Sequence, residues 1–275
     1  MSREKESAKI LTNDMLSDGI YSMWLECNAA KTAKAGQFIS VYMNDKSKLL
    51  PRPISICEID AGGKLRIVYR VVGKGTADLS TYRPGDNVDI LGPIGNGYEL
   101  AMCEAQSLSD KSFTNDELTV DENTVALILG GGIGIPPMLG LARELKCKKV
   151  IVAGYRNANE LFLTEQLEAE GEFHLSTDDG STGYYGTVLD LVKAEGIKAD
   201  MIFACGPKPM LKGVKALGEE WKVPTYISME ERMACGVGAC LGCVCKSREV
   251  DSHSKVKNKR VCVDGPVFLS TEVEL

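Results

Sequence analysis

Five cysteines stand within the 28 residues from Cys235 to Cys262, where an even scatter of the chain's ten would place about one. Their spacing constrains the chain more than any other feature. Cys235-Gly-Val-Gly-Ala-Cys240-Leu-Gly-Cys243 reads C-x4-C-x2-C, and Cys262 follows after 18 intervening residues. This is the ligand spacing of plant-type [2Fe–2S] centres. The glycines belong to the same chemistry. A loop wrapped around iron and sulfide must aim backbone N–H groups at sulfur, and Gly236, Gly238 and Gly242 permit the positive φ and close approach that this needs. A structural zinc site with four cysteine ligands is the competing reading, but zinc ribbons favour two C-x2-C knuckles and one is present. Cys245 reads as a small buried hydrophobe beside the cluster. Cys27, Cys57, Cys103 and Cys147 lack partner spacing and read as core residues.

Metal ligation rather than disulfide bonding fits the start of the chain. Met1-Ser-Arg-Glu-Lys-Glu is charged and no apolar segment follows it, so no secretory signal is expected and the cytoplasm is the expected compartment. The long uncharged run Asn123 to Ala142 carries five glycines and two adjacent prolines, which disqualifies it as a membrane helix. Lys plus Arg number 32 against 38 Asp plus Glu, a net charge of −6. No basic footprint for nucleic acid or an anionic membrane is present, so neither is an expected partner.

The chain's 275 residues suffice for one large domain or two small ones. Residues 7–92 read as short strands (Ile20–Glu26, Gln37–Met43, Pro53–Ile59, Leu65–Val71, Asn87–Leu91) with turns at Asp60–Gly63 and Arg83–Asp86, predicting a small antiparallel barrel or sandwich. From residue 124 strands alternate with helices. Strands are expected at Val125–Leu129, Lys149–Ala153, Phe173–Ser176 and Asp200–Ala204, and helices at Pro137–Leu145, Glu160–Glu170, Thr187–Ala194 and Lys208–Leu217. That alternation predicts a parallel α/β sheet. Ala101–Asn123 is polar, acidic and weakly periodic, and reads as an inserted loop or linker. The expected organisation is multidomain α+β: a β-barrel over 1–100, the linker over 101–123, an α/β domain over 124–229 and a cluster module over 230–275. That last module is too short to build a large core, so iron ligation rather than burial is expected to hold it in shape.

Gly130-Gly-Gly-Ile-Gly-Ile-Pro-Pro137 follows an apolar strand and opens a helix, a placement that can hold a pyrophosphate. It is not G-x-G-x-x-G, and Gly154-Tyr-Arg156 rather than an acid closes the second strand. Cys205-Gly-Pro-Lys-Pro-Met210 follows the last strand at the same carboxyl edge, and Thr177-Asp-Asp-Gly180 ends the third. Acids there would repel a 2′-phosphate and favour NAD over NADP; a solvated turn is the plain alternative.

Arg52-Pro53-Ile54-Ser55 on a barrel strand, followed by the GGGIG loop and the CGP motif, resembles the ferredoxin–NADP reductase family of flavoproteins. The tail from Glu231-Arg-Met-Ala-Cys235 to Cys262-Val-Asp-Gly-Pro-Val-Phe268 is similar to the iron–sulfur electron-transfer subunits of NAD-linked (type B) dihydroorotate dehydrogenases. The resemblance runs from about residue 7 to 269, and Ala101–Asn123 departs from it by its length. It implies an FAD-binding barrel, an NAD-binding α/β domain and a C-terminal [2Fe–2S] module. Carried over by position, Arg52 would pair with the FAD pyrophosphate and Ser55 would sit near the flavin. Val68, Tyr69 and Arg70 would run along the isoalloxazine, and Gly75-Thr76 would open a helix against the pyrophosphate. Gly130, Gly131, Gly132 and Gly134 would hold NAD, with Cys205 and Gly206 near the nicotinamide; Asp178 is the acid of the third-strand turn expected to disfavour a 2′-phosphate. Cys235, Cys240, Cys243 and Cys262 would ligate the cluster. On their own, Arg52 could be a surface ion pair and Gly73–Thr76 an ordinary helix cap.

The implied activity is electron transfer in pyrimidine (UMP) synthesis. An FMN-containing catalytic subunit, in a heterotetramer of two of each chain, oxidises dihydroorotate to orotate. Electrons pass through the cluster to FAD and leave as hydride to NAD⁺. No general base for dihydroorotate is evident in this chain, so no catalytic residue is assigned beyond the electron relay. Two alternatives are an NAD(P)H–ferredoxin or sulfur-linked oxidoreductase subunit and, from another class, a zinc-stabilised nucleotide-binding scaffold.

Overall fold

The computed structural model describes residues 4–45, 47–60, 62–98, 100–102, 118–120, 122–250 and 255–275. The first six strands are β1 (Glu4–Ser17), β2 (Ile20–Glu26), β3 (Phe38–Tyr42), β4 (Arg52–Asp60), β5 (Lys64–Arg70) and β6 (Asn87–Ile94), with the short helix α1 (Lys74–Leu79) after β5. They close into a barrel in the order β1-β2-β5-β4-β3-β6, every pairing antiparallel. Closure removes the unpaired edges that an open antiparallel sheet would leave. Of the two forms expected, the barrel is therefore the one adopted. Its interior is packed by Ile10, Met23, Leu25, Ile39, Ile67 and Ile90.

Two short parallel strands, β7 (Leu100–Met102) and β8 (Leu118–Val120), follow the barrel. Most of the expected 101–123 insertion, Cys103 included, lies outside the described residues.

The second unit is β9 (Val125–Gly131), α2 (Ile135–Glu144), β10 (Lys148–Tyr155), α3 (Thr164–Glu168), β11 (Glu172–Thr177), β12 (Tyr184–Tyr185), α4 (Val188–Ala194), β13 (Met201–Cys205), α5 (Lys208–Trp221) and β14 (Thr225–Ser228). The helix expected over 160–170 is shorter, because Leu163 takes φ +62° immediately before α3 and blocks a continuous helix. Strand order is β12-β11-β10-β9-β13-β14-β17, parallel from β12 to β14. The chain winds outward from β9 in one direction and resumes at β13 on the other side. The switch point of the sheet therefore lies between β9 and β13, where open α/β sheets bind ligands.

The last segment contributes β15 (Val244–Lys246), β16 (Asn258–Arg260) and β17 (Val267–Leu269). β15 and β16 form an antiparallel hairpin, and β17 joins the large sheet antiparallel to β14. Val261, Cys262, Phe268 and Val273 belong to the same buried cluster as Leu127, Ile202 and Leu211 of the α/β unit. Burial, not ligation alone, holds this segment, contrary to the expectation drawn from its length. Its apolar residues share a core with the sheet rather than building their own.

The barrel and the α/β unit meet along α2. Its Gly140 faces the Cys57 carbonyl so closely that a Cβ would lie 2.4 Å from the oxygen. Glu144 Oε1 accepts a hydrogen bond from the Ala35 N–H at 3.1 Å. Among the described residues no helix is long and apolar enough to cross a membrane.

Candidate functional site

Two cavities lie between the barrel and the α/β unit. The first, about 330 Å³, is lined by Arg52, Pro53, Ile54 and Ser55 from the start of β4, Val68, Tyr69 and Arg70 from the end of β5, and Thr76 of α1. These segments reach one place because β3, β4 and β5 are successive neighbours in the barrel. Tyr69 is held by its hydroxyl, which donates to Asn13 Oδ1 at 2.9 Å, and by a stack on Tyr21 with ring centroids 5.8 Å apart. Burial pushes its phenol above the ordinary range. Gly75 does not line the cavity but explains how Arg52 can. A Cβ at residue 75 would lie 2.5 Å from the Arg52 guanidinium, so only glycine leaves that volume to the arginine. Arg52 also donates to the Leu50 carbonyl at 2.6 Å. Thr76 Oγ1 accepts from the N–H groups of Val72 at 2.9 Å and Gly73 at 3.3 Å, which fixes the turn into α1. A guanidinium fork and an apolar floor in one cavity fit a phosphate joined to a flat ring system.

The second cavity, about 440 Å³, opens at the carboxyl edge of the large sheet. Gly131, Gly132, Gly134, Asp178 and Gly206 line it, together with Arg156, Ser176 and Thr187. Gly132 takes φ +53° in the turn that precedes α2. Gly134 abuts the Cys205 carbonyl, with a Cβ placed 2.3 Å from that oxygen. The glycine loop and the CGP loop therefore pack backbone to backbone, leaving the space above them free. Gly130 and Cys205 are opposite one another in the β9–β13 register and form the floor beneath the cavity rather than its surface. Burial pushes the Cys205 thiol above its usual range, followed by the nearby Glu230 charge.

Two features of this cavity carry no sequence signal. Ser176 Oγ is buried and has no hydrogen-bond partner among the described residues. It lines the cavity, where a ligand hydroxyl or amide would satisfy it. The paired acids also differ. Asp179 Oδ1 accepts from Ser181 N at 2.9 Å and Ser181 Oγ at 2.6 Å, which holds its carboxyl below the usual range. Asp178 alone of the two lines the cavity.

The two cavities share Arg70, Ile133 and Glu230. Arg70 crosses from the barrel to Glu160 of the α/β unit at 3.1 Å. Glu230 immediately follows Met229, whose N–H donates to the Pro266 carbonyl at 2.9 Å. Met233 and Pro266, on either side of the cysteine loop, line the first cavity.

The spaced cysteines meet in two pairs, the second of them through the β15–β16 hairpin. Val244 pairs with Arg260, so the strands deliver Cys243 and Val261 opposite one another, with the Val261 N–H donating to the Cys243 carbonyl at 3.1 Å. Cys262 N–H then donates to Cys243 Sγ at 3.4 Å. At the other end Cys235 Sγ accepts from Val237 N–H and Cys240 N–H, each at 3.4 Å, and Cys240 Sγ accepts from Gly242 N–H at 3.4 Å. Burial opposes ionisation of Cys235, but these N–H donors prevail and hold its thiol down to about 6. Gly236 at φ +69° and Gly238 at φ +83° turn the backbone so that it can donate. The side chains contact in two pairs, Cys235 with Cys240 and Cys243 with Cys262. Among the described residues no three His, Cys, Asp or Glu side chains converge as ligands of a single ion. Two thiol pairs wrapped in N–H donors suit a binuclear cluster, with two thiolates to each iron. Cys245 stands apart, its Sγ donating to the Lys259 carbonyl at 3.5 Å.

The comparisons with known proteins converge. Residues 230–274 match the family described as the iron-sulfur cluster binding domain of dihydroorotate dehydrogenase B. The chain is 40% identical over 278 residues to the dihydroorotate dehydrogenase B (NAD(+)) electron transfer subunit of Geobacillus kaustophilus, covering 98% of this chain and 99% of that protein. It is 37% identical over 281 residues to the subunit of the same name from Fusobacterium nucleatum, covering 98% of both. Among solved structures, a chain of the NADH-dependent reduced ferredoxin-NADP oxidoreductase superposes with a TM-score of 0.80 at 27% identity, over 97% of this chain and 89% of that one. The ferredoxin reductase of carbazole 1,9a-dioxygenase, at 17% identity and a TM-score of 0.64 over 82% of this chain and 69% of that one, shares the fold.

Proposed function

This chain belongs to the family of dihydroorotate dehydrogenase B (NAD(+)) electron transfer subunits, and from that membership we propose how its residues divide the work. It is an electron-transfer flavoprotein of an oxidoreductase complex, with FAD, a [2Fe–2S] cluster and NAD as its redox groups and a catalytic dihydroorotate dehydrogenase subunit as its partner.

One observation carries the assignment of sites. Met233 and Pro266 of the cysteine-bearing segment line the same cavity as Arg52, Ser55 and Tyr69, and that cavity shares a wall with the glycine-loop cavity. Three redox groups placed at these positions would be consecutive neighbours. In this reading the first cavity takes FAD. Arg52 pairs with its pyrophosphate through the guanidinium fork. Ser55, Val68, Tyr69 and Arg70 border the ring, and Thr76 fixes the turn beside it. The second cavity takes NAD, with Gly131, Gly132 and Gly134 leaving room for the pyrophosphate at the start of α2. Ser176 supplies a hydrogen bond, and Asp178 disfavours a 2′-phosphate. Cys235, Cys240, Cys243 and Cys262 hold the cluster. Bound FAD supplies the conversion between the single electrons of an iron–sulfur cluster and the hydride of a nicotinamide.

The partner in this proposal carries FMN and oxidises dihydroorotate to orotate, releasing two electrons and two protons. NAD⁺ takes up the electrons and one proton, and two copies of each chain assemble. A cluster-bearing protein rich in free thiols suits the reducing cytoplasm. The test is to purify this chain with the candidate catalytic subunit and follow dihydroorotate-dependent NAD⁺ reduction. Activity is expected only when both are present, from a brown-yellow protein with flavin and cluster absorption. A colourless chain with stoichiometric zinc after anaerobic purification, or a complex without this activity, would overturn the proposal.

A further inference from the structure

Among the described residues Glu230 is the single acidic side chain bordering both cavities, and it also lines a smaller recess beneath the CGP loop. It lies two residues beyond the end of β14, at the carboxyl edge of the sheet. Its side chain is open to the cavities, yet desolvation by the surrounding protein already lifts its carboxyl above the usual range. Of the cations lining these cavities, Arg52, Arg70, Arg156 and Lys208, none pairs with it. Arg70 pairs with Glu160 at 3.1 Å, and Lys208 of the small recess pairs with Glu231. Glu230 itself makes no hydrogen bond or ion pair among the described residues. An uncompensated carboxylate thus stands where the two nucleotide sites meet.

A partly enclosed, unpaired anion attracts a cation more strongly than the same anion in open water. Of the species the proposed sites would hold, the oxidised nicotinamide ring is the cationic one, whereas the reduced ring is neutral. We propose that Glu230 is the residue by which this chain distinguishes the oxidised from the reduced nicotinamide, favouring NAD⁺ over NADH through its charge. The substrate then arrives at a wall complementary to it, and the neutral product is held less firmly. This inference rests on the reading of the second cavity as the NAD site.

The test is calorimetric binding to the oxidised holoprotein of three redox-inert probes: NAD⁺, ADP-ribose, and 1,4,5,6-tetrahydro-NAD as the neutral-ring analogue. In the unaltered protein NAD⁺ is expected to bind more tightly than the analogue. Glu230→Gln keeps the size and removes the charge, and it should weaken NAD⁺ about tenfold. It should leave ADP-ribose and the neutral analogue within about twofold, while Glu230→Asp retains the preference. Flavin and iron content of each variant report that it is folded and loaded. Equal weakening of all three probes, or none, would overturn the role of Glu230 while leaving the NAD site intact. Failure of the unaltered protein to bind ADP-ribose would overturn the NAD site itself, and this inference with it.

Discussion

Arg143 of α2 forms an ion pair with Glu58 of β4, joining the helix that follows the glycine loop to the wall of the barrel. Glu58 is buried and also pairs with Arg66 of β5, itself buried. Arg143 is half exposed and extends the chain of charges to Glu170 at 3.1 Å. With Gly140 pressed against the Cys57 carbonyl, this seam fixes the glycine loop relative to the barrel cavity.

Removing Glu58 should therefore cost far more than removing Arg143. Glu58→Ala leaves the Arg66 guanidinium buried without its counter-ion, a loss of about 3–5 kcal/mol. Arg143→Ala leaves Glu58 still paired with Arg66, and its own exposed side should limit the loss to about 1 kcal/mol. Chemical denaturation followed by far-UV circular dichroism measures both. Equal losses would show that Glu58 is not the centre of the network.

Gly75→Ala should release flavin. The added methyl would meet the Arg52 guanidinium at 2.5 Å and drive it out of the cavity. Flavin absorbance per mole of chain after gel filtration should fall as it does for Arg52→Ala, with iron content unchanged. Full flavin retention in Gly75→Ala would refute the proposed contact between Arg52 and the FAD pyrophosphate.

Serine at Cys235, Cys240, Cys243 or Cys262 should reduce bound iron and the visible cluster absorption. Cys245→Ala should change neither, because that thiol faces the Lys259 carbonyl and burial pushes it up to about 11. Iron analysis of anaerobically purified variants separates the two groups. Cluster loss in Cys245→Ala would mean that the ligand set is drawn wrongly.

Asp178→Ser should raise the NADP⁺-to-NAD⁺ ratio of kcat/KM by about tenfold, since Arg156 on the same rim would then meet a 2′-phosphate unopposed. Asp179→Ser should leave the ratio unaltered, because Asp179 is spent on Ser181. Steady-state rates of the complex with both dinucleotides decide it, and a shift confined to the Asp179 variant would reverse the assignment.

Legibility in the sequence followed locality. Ile20–Glu26 is a strand with the bounds expected, and Lys208 begins a helix as expected, because apolar periodicity is a near-neighbour property. The fourteen residues of β1 did not announce themselves. Register shifts between Ile10 and Thr12 and between Met15 and Ser17 break the alternation by which a strand is read. The strand at Thr225–Ser228 was missed for a different reason: four residues carry too little periodicity to register. Ser176, Arg156 and Glu230 were missed as cavity residues because each is an ordinary polar residue until the strand ends are gathered at one edge.

The sequence by itself determined the chemistry. Cysteine spacing, a glycine loop between strand and helix, and an Arg-Pro-x-Ser strand are short-range patterns whose meaning survives without coordinates. Only the tertiary structure decided how those chemistries adjoin. The pairing of β4 with β5 brought Arg52 towards Tyr69, the β15–β16 ladder carried Cys262 to Cys243, and β17 bound the cysteine segment to the parallel sheet. These are contacts between residues far apart in the chain. They depend on which surfaces can be buried together, and no local pattern records that.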